Sequence, residues 1–480
     1  MSKPLWTWPE VEEALDGRLI GSPPREFGGV TFDSREVSGG EIFFAIKGVR
    51  MDGHEFAARA LEAGAGLAVV STANDEMRAA GPLLVVDDTL AALRALGAAA
   101  RRRACGKVVG VTGSVGKTTT KDMLALALAA CGRVHAAKAS FNNHWGVPLT
   151  LARMAADVDY GIIEMGMNAP GEIADLTSLA RPDVAVVTHV AESHIGAFEG
   201  LEGIARAKAE IFSGLEPGGS AVINLDAPHS DMLIAAAGEA GAGRIITYGK
   251  GEGADIRLLR AASDECCVCV GALLAGGENG GAGREVAFRV GMPGEHIALN
   301  SLAVLGVAEA LGADLTAVMH ALAGMRAPEG RGGRFRLMAP GGEILLIDES
   351  YNANPASVGA ALKALGETPV GPGGRRVAVL GDMLELGEKS PELHAALADK
   401  VMEAGVDALY VSGPMMRHLW EAAPEHLRAA RVDDPERLPE LLRRDLRGGD
   451  VVMIKGSLGS RMMPVAGALR EMFKPAASEG

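Results

Sequence analysis

Gly110-Val111-Thr112-Gly113-Ser114-Val115-Gly116-Lys117-Thr118-Thr119-Thr120 is the stretch on which the reading of this chain turns. An apolar run, Lys107 to Val111, precedes the loop and reads as a buried strand; an Ala/Leu-rich stretch, Asp122 to Ala130, follows and reads as a helix. A glycine-rich turn between strand and helix aims backbone N–H groups and the positive end of the helix dipole at one point. Lys117 can reach the outer phosphates of a nucleotide there, and the Thr118 hydroxyl is placed to hold Mg²⁺. The common P-loop pattern has a small residue five positions before Gly116, where Val111 stands. Strand, loop, Lys-Thr and helix still follow in the required order, which a purely structural glycine turn does not need. The expectation is a site for ATP or GTP.

Around this centre the chain runs to 480 residues, enough for about three domains. Apolar residues make up 48% and aromatics only 4%, so several aliphatic cores are expected. A net charge of −14 argues against nucleic acid or an acidic membrane surface as a partner, because either needs a basic face. Anionic small substrates remain compatible, since a phosphate site needs only local cations and amides. Met1 to Glu10 lacks a basic segment followed by an apolar one, and no apolar run approaches the roughly 20 residues of a membrane span. The five cysteines form no disulfide framework in so long a chain, and a cytoplasmic location fits. Cys266-Cys267-Val268-Cys269 reads as small apolar residues in a strand; a metal knuckle there lacks paired CxxC spacing and nearby histidines.

The first hundred residues carry short apolar runs at Glu41–Ile46, Leu67–Val70 and Leu83–Val86 between Gly- and Ala-rich helical segments, a small α/β unit. Arg101-Arg102-Arg103 marks its boundary and reads as a solvated helix end rather than an anion site. From Lys107 onward, Tyr160–Glu164, Val184–Thr188 and Ala221–Asn224 are strands that end in polar or acidic residues, the edge where open parallel sheets place ligands. Between Ile245 and Val290 short strands and a Gly-rich turn (Gly276 to Gly283) suggest an antiparallel addition. After Arg331 the strands Ile344–Ile347, Val377–Leu380, Leu409–Val411 and Val451–Ile454 alternate with helices, again a parallel α/β arrangement.

Several residues gain meaning from these positions. Glu164 ends a strand neighbouring the loop, where an acid helps hold a nucleotide's metal; a solvated loop residue is the other reading. His194 follows the next strand, and Lys208 lies in the helical run Ala205 to Phe212, where an isolated lysine is usually exposed. Gly291 to His296 is a turn feeding a helix through Asn300, and His296 and Asn300 share a face at i and i+4. An amide there can pair with adenine; a plain helix-start cluster is the alternative. Asp348 to Pro355 leaves a strand and enters a helix at Asn354-Pro355. Gly381 to Gly387 and Lys455-Gly456-Ser457 follow two further strands. Three polar strand ends on one sheet edge read as the rim of a site.

Taken together these segments closely resemble the Mur ligases over nearly the whole chain, from Asp33-Ser34-Arg35 and Asp52-Gly53-His54 to Lys455-Gly456-Ser457. Gly113 to Thr119 matches the family's ATP loop. Asn142-Asn143, Gly146-Val147-Pro148 and Glu164-Met165-Gly166 match its central domain. The runs Asp348–Pro355 and Gly381–Gly387 are most similar to the branch that adds D-alanyl-D-alanine, and the Asp-Asn-Pro-Arg signature of the diaminopimelate-adding relative does not occur in the C-terminal domain.

The resemblance implies a three-domain α/β architecture. Residues 1–104 would bind the UDP end of the substrate and 105–328 would form the P-loop ATP domain. Residues 329–480 would form a Rossmann-like ligase domain. It implies an ATP-dependent, Mg²⁺-requiring ligase that joins D-alanyl-D-alanine to UDP-N-acetylmuramoyl-tripeptide through an acyl phosphate in peptidoglycan precursor synthesis, working as a monomer. The alternative is a Mur-type ligase adding a different amino acid. Ser34, Arg35 and Asn142 would lie by the UDP substrate, and Asp348, Tyr351, Asn352 and Asn354 would line the substrate side of the third domain. Gly113, Ser114, Val115, Gly116, Lys117, Thr118 and Thr119 would hold the phosphates, with His296 and Asn300 by adenine and ribose. Arg334 would face the phosphates, with Arg331 competing for the role. Thr118, Glu164, His194 and Lys208, the last as a carbamate, would surround Mg²⁺. Lys117, Glu164, His194 and Lys208 would thus carry the chemistry; the base for the incoming amine is left open, with Asp348 and Glu349 candidates by position alone. Two departures stand out: Glu349 occupies the second place of a run that is Asp-Asp-Ser-Tyr-Asn in the family pattern, and His189 to Phe198 is atypical.

Overall fold

The computed structural model describes residues 3–48, 51–191, 198, 200–264, 266–275, 283–327 and 330–476. Within them the chain builds three large sheets in succession, each covered by helices.

The first sheet has five strands in the order Arg18–Ile20, Leu83–Val85, Leu67–Val70, Glu41–Phe44 and Gly29–Thr31, parallel except at the Arg18–Ile20 edge. Alternate residues of its strands face two cores: Ile42, Phe44, Leu67 and Val69 look one way, Phe43, Ala68 and Val70 the other.

The second sheet has nine strands. Lys107–Thr112 lies between Tyr160–Glu164 on one side and Val184–Val187 on the other. The chain first fills the Tyr160–Glu164 side, out to the edge strand Val134–Ala136, and then crosses to Val184–Val187, Ser220–Asn224 and Arg244–Gly249. That reversal is the switch point at which open α/β sheets form a crevice beyond their strand ends. Ile256–Ser263 pairs parallel with Arg244–Gly249, and Val268–Leu274 and Arg284–Val290 complete the expected antiparallel extension. Val109, Val111, Val184 and Val186 pack beneath the helices Lys117–Leu128 and Glu295–Leu311, while Val108, Ala185 and Val187 feed the opposite core. The predicted helix therefore begins at Lys117, at the end of the glycine loop, rather than at Asp122.

The third sheet runs Arg428–Val432, Ala408–Ser412, Arg376–Gly381, Val451–Lys455, Gly342–Glu349, Gly333–Ala339 and Lys474–Pro475. Its first five strands are parallel and the last two antiparallel. Asn354 caps the helix Pro355–Glu367 through Ser357 N, in a reciprocal capping box, so this start is as the Asn-Pro pair predicts.

The reading of Arg101 to Arg103 as a solvated helix end is corrected. These residues close the helix Thr89–Arg103, but only Arg102 is exposed. Arg101 is buried and donates to the carbonyls of Ala180 (2.9 Å) and Arg181 (2.8 Å), with Asp183 and Glu216 beside it. The Arg103 guanidinium lies 3.4 Å over the Trp6 ring and pairs with Glu10. The run pins the first unit to the second. The cysteine reading is corrected: Cys266 and Cys267 precede the strand Val268–Leu274 and donate to Asp264, and Cys269, inside it, is exposed; only Cys267 is buried. Among the described residues no helix is long and apolar enough to cross a membrane.

Candidate active site

The glycine loop is shaped by the strand beside it. Gly113 has φ +149°, and a Cβ there would lie 2.0 Å from Thr188 Oγ1, so only glycine fits. Thr188 donates from Oγ1 to Val115 O at 2.6 Å, Ser114 N donates to His189 O at 2.7 Å, and Ser114 Oγ donates to Ala191 O at 2.9 Å. The Thr188 carbonyl is itself held by Asn224 Nδ2 and by the hydroxyl of buried Tyr248, each at 2.9 Å. The loop thus rests on the core of the sheet rather than on its own turn geometry. Gly116, at φ +85°, lets Asn300 approach so closely that a Cβ would sit 3.0 Å from its side-chain oxygen. Asn300 therefore reaches the loop, and His296, one turn earlier on the same helix, stands exposed at its mouth. Thr119 continues the helix that Lys117 opens.

Lys117 curls back over the loop, donating from Nζ to Gly113 O at 2.6 Å. Burial lowers its pKa; Glu164 works against that and Arg331 with it, so both groups face the lysine. Glu164 is only 3% exposed at its strand end, accepts from Asn142 Nδ2 at 2.7 Å, and leaves its Oε2 buried with no hydrogen-bond partner. A buried carboxylate oxygen without a donor is costly unless a cation completes it. Lys208, at the end of the helix Gly200–Ala209, is 1% exposed. Burial, helped by the Lys117 charge, holds its pKa well below the usual lysine range. The expectation of an exposed helical lysine is thereby reversed. Lys117 thus has Glu164, Arg331 and Lys208 as neighbours, and its charge together with that of Arg331 gives the loop a local positive field that suits a polyphosphate.

The third sheet meets the loop through Arg331. Its Nη2 donates to Ser140 Oγ at 3.1 Å, Ser140 Oγ lies 3.1 Å from Thr118 Oγ1, and the guanidinium lies 3.9 Å over the Tyr351 ring. Arg334 donates to Thr368 within its own unit at 3.3 Å. The three polar strand ends are neighbours, as the sequence suggested: Lys455 Nζ reaches Asn352 O (3.0 Å) and Glu349 Oε2 (3.4 Å), and Ser457 Oγ donates to Ala353 O at 3.1 Å. Glu349 and Lys455 also lie close enough to act on the charge of His296, so this rim faces the nucleotide helix.

Not every residue of the rim points into the crevice. Asp348 is buried, accepts from Ser350 N and Oγ, and is pushed up in pKa by burial. Asp382 accepts from Met415 N and Met416 N and so anchors the start of the helix Met416–Ala422. Asn354 is spent on its helix cap.

In the first unit, Ser34 and Arg35 form an exposed turn in which Arg35 pairs with Asp33. Asp52, His54 and Ser71 form a chain resembling a nucleophile triad, with Nδ1 2.6 Å from Asp52 Oδ1 and Nε2 3.0 Å from Ser71 Oγ. Ser71 N also donates to Nε2 at 2.8 Å and occupies the lone pair a base would need, so the chain is a clamp. His194 lies outside the described residues.

Two participants carried no sequence signal. Ser140 and Lys121 belong to none of the motifs named above. Lys121 is 1% exposed and donates to Ala137 O at 2.7 Å, fixing the segment that carries Ser140.

A P-loop at a sheet switch point, an acid on the neighbouring strand and a second α/β unit leaning over both define an ATP-using enzyme. Comparison with known proteins sharpens this class. The Mur ligase family, catalytic domain matches residues 26–102, the Mur ligase middle domain 111–308, and the Mur ligase, glutamate ligase domain 333–458. The UDP-N-acetylmuramoyl-tripeptide–D-alanyl-D-alanine ligase of Escherichia coli is 34% identical, over 97% of this chain and 98% of its own length. The ligase of the same name from Synechocystis is 33% identical over 88% of each. Among solved structures, MurF from Acinetobacter baumannii superposes with TM-score 0.83 at 30% identity, covering 98% of this chain and 100% of that one. MurF from Thermotoga maritima in complex with ADP superposes with TM-score 0.75 at 28% identity, covering 92% and 97%. The chain belongs to the Mur ligase family and is an ATP-dependent ligase.

Proposed function

We propose that this ligase joins the amine of D-alanyl-D-alanine to the terminal carboxylate of UDP-N-acetylmuramoyl-tripeptide, forming ADP and phosphate, in the cytoplasm and as a monomer. The observation that carries it is the full-length likeness to enzymes of that name, at 34% identity across all three units. Addition of a different amino acid is not favoured: the diaminopimelate ligase structure reaches only 18% identity and TM-score 0.51.

A carboxylate is a poor electrophile, so the substrate acid must first take a phosphoryl group as an acyl phosphate. Lys117, the amides of Gly113 to Thr118 and Arg331 would spread the charge of that transfer over fixed donors. We assign Arg331 to this role because its guanidinium reaches Ser140 beside the loop threonine, with Arg334 as the alternative. The donor set also fits Mg²⁺: Glu164 keeps a buried oxygen without a partner, the Thr118 hydroxyl stands on the loop, and both would hold the cation, with Lys208, a neighbour of Lys117, as a further ligand. Bound there, the cation would neutralise phosphate charge. Burial favours the unprotonated form of the Lys208 amine, the form that can capture carbon dioxide as a carbamate, which would turn it from a repelling cation into an anionic ligand. His194 keeps its place in this assignment from sequence alone.

Ser34, Arg35 and Asn142 are assigned to the UDP substrate; Tyr351 and Asn352 to the substrate side of the third unit; His296 and Asn300 to the nucleoside. Asp348 and Asn354 are better assigned to shaping that rim, since their polar atoms are engaged locally. Water would destroy the acyl phosphate, so the site must close before it forms. The test is phosphate release with UDP-muramoyl tripeptide and single amines. Release with D-alanyl-D-alanine alone supports the reading; release with diaminopimelate or lysine instead overturns it.

A further inference from the structure

Ser140 lies at the meeting point of elements that the sequence keeps far apart. Its segment follows the edge strand Val134–Ala136 and is tethered at several points: Lys121 holds Ala137 O, Asn142 holds Glu164, and Phe141 and Trp145 pack edge-on against Phe32 of the first unit. Between these tethers the Ser140 hydroxyl stands 3.1 Å from Thr118 Oγ1 and accepts from Arg331 at 3.1 Å.

A hydroxyl has one proton and two lone pairs, and a guanidinium has only protons to give. Arg331 must therefore take one lone pair of Ser140. Once Thr118 offers its own lone pair to a cation, its proton has Ser140 Oγ as an acceptor in reach. Both lone pairs of Ser140 are then filled, and its single proton is left for an anionic oxygen in the crevice. The hydroxyl can satisfy the loop threonine and the arginine of the third unit together.

We propose that Ser140 is a positioning residue: it holds Arg331 where it meets the outermost phosphate of the nucleotide. The inference deepens the ligase reading and rests on it. Stacking on Tyr351 fixes the plane of the guanidinium but not its reach across to the loop, which is what Ser140 supplies.

The test compares Ser140→Ala, Ser140→Thr, Arg331→Ala and Ser140→Ala/Arg331→Ala, with Mg²⁺ present and folding checked by thermal melting. Calorimetric affinities for ADP and for a non-hydrolysable ATP analogue are read without turnover. Loss of one charge-assisted hydrogen bond is expected to weaken analogue binding about tenfold while leaving ADP within about twofold. kcat should fall with the analogue affinity and the KM for the muramoyl substrate should hold. Ser140→Thr should restore both, and the double variant should be no worse than Arg331→Ala alone. Equal losses for ADP and analogue, additive losses in the double variant, or no rescue by threonine would overturn the proposal. Because the affinity ratio needs no amine, it is independent of whether D-alanyl-D-alanine is the acceptor.

Discussion

Asn142 donates to one oxygen of the Glu164 carboxylate at 2.7 Å and leaves the other oxygen buried and unpaired. The amide fixes the plane of the acid beside Lys117, so the free oxygen need not be ordered on binding. Residues that orient a metal ligand in this way typically carry a factor of ten or more in affinity.

Asn142→Ala is therefore expected to raise the Mg²⁺ concentration for half-maximal phosphate release about tenfold, with much of kcat recovered at saturation. Glu164→Ala and Lys117→Ala should abolish release at any Mg²⁺ concentration. An unchanged Mg²⁺ profile in Asn142→Ala would remove the orienting role.

Lys208 couples the site to stability. Its folded pKa is depressed by burial, whereas the unfolded lysine titrates near about 10.4. Between those values the unfolded chain binds more protons, so the native state gains stability as pH rises through that window. In bicarbonate-free buffer, Lys208→Met should be more stable than the parent at pH 7, by a margin that closes towards pH 10, and should release no phosphate. A variant less stable than the parent at neutral pH would contradict the burial cost.

His394 makes the opposite end of the pH range informative. It is fully buried, accepts from Met383 N at 3.0 Å through Nε2, and approaches Ser390 O at 2.7 Å through Nδ1. Burial lowers its pKa. The unfolded histidine takes a proton first as pH falls below about 6.5, so native stability drops from there down to the folded pKa. His394→Gln can keep an acceptor for Met383 but cannot titrate. Denaturant midpoints of parent and variant should diverge above pH 7 and converge by pH 5; parallel curves would exclude the histidine as the source.

Arg101 tests the joint between the first two units. Arg101→Met keeps the apolar stem but strips the guanidinium from Asp183, Glu216 and two carbonyls. Breaking a mostly buried pair should cost about 3 kcal/mol. Arg102→Met, at an exposed neighbour, should stay within about 0.5 kcal/mol. Urea unfolding that gave the two variants equal midpoints would sink the distinction.

What the sequence by itself determined is local. Glycine spacing, a Lys-Thr pair and the alternation of apolar residues over a few positions were enough to read the loop, most strands of the parallel sheets and the Asn354-Pro355 helix start. Each depends on backbone geometry within one or two turns of chain. Short edge strands such as Trp6–Thr7, Val134–Ala136 and Lys474–Pro475 were not legible, because two or three residues carry no period.

Only the tertiary structure decided that Arg331 reaches the loop side, that Lys208 and Arg101 are buried, and that Asp382 holds a helix instead of facing the crevice. It also brought Ser140 to Arg331, 191 positions away. Burial and long-range hydrogen bonds depend on which strands become neighbours. That order is settled by the packing of whole sheets, which no short window of residues contains.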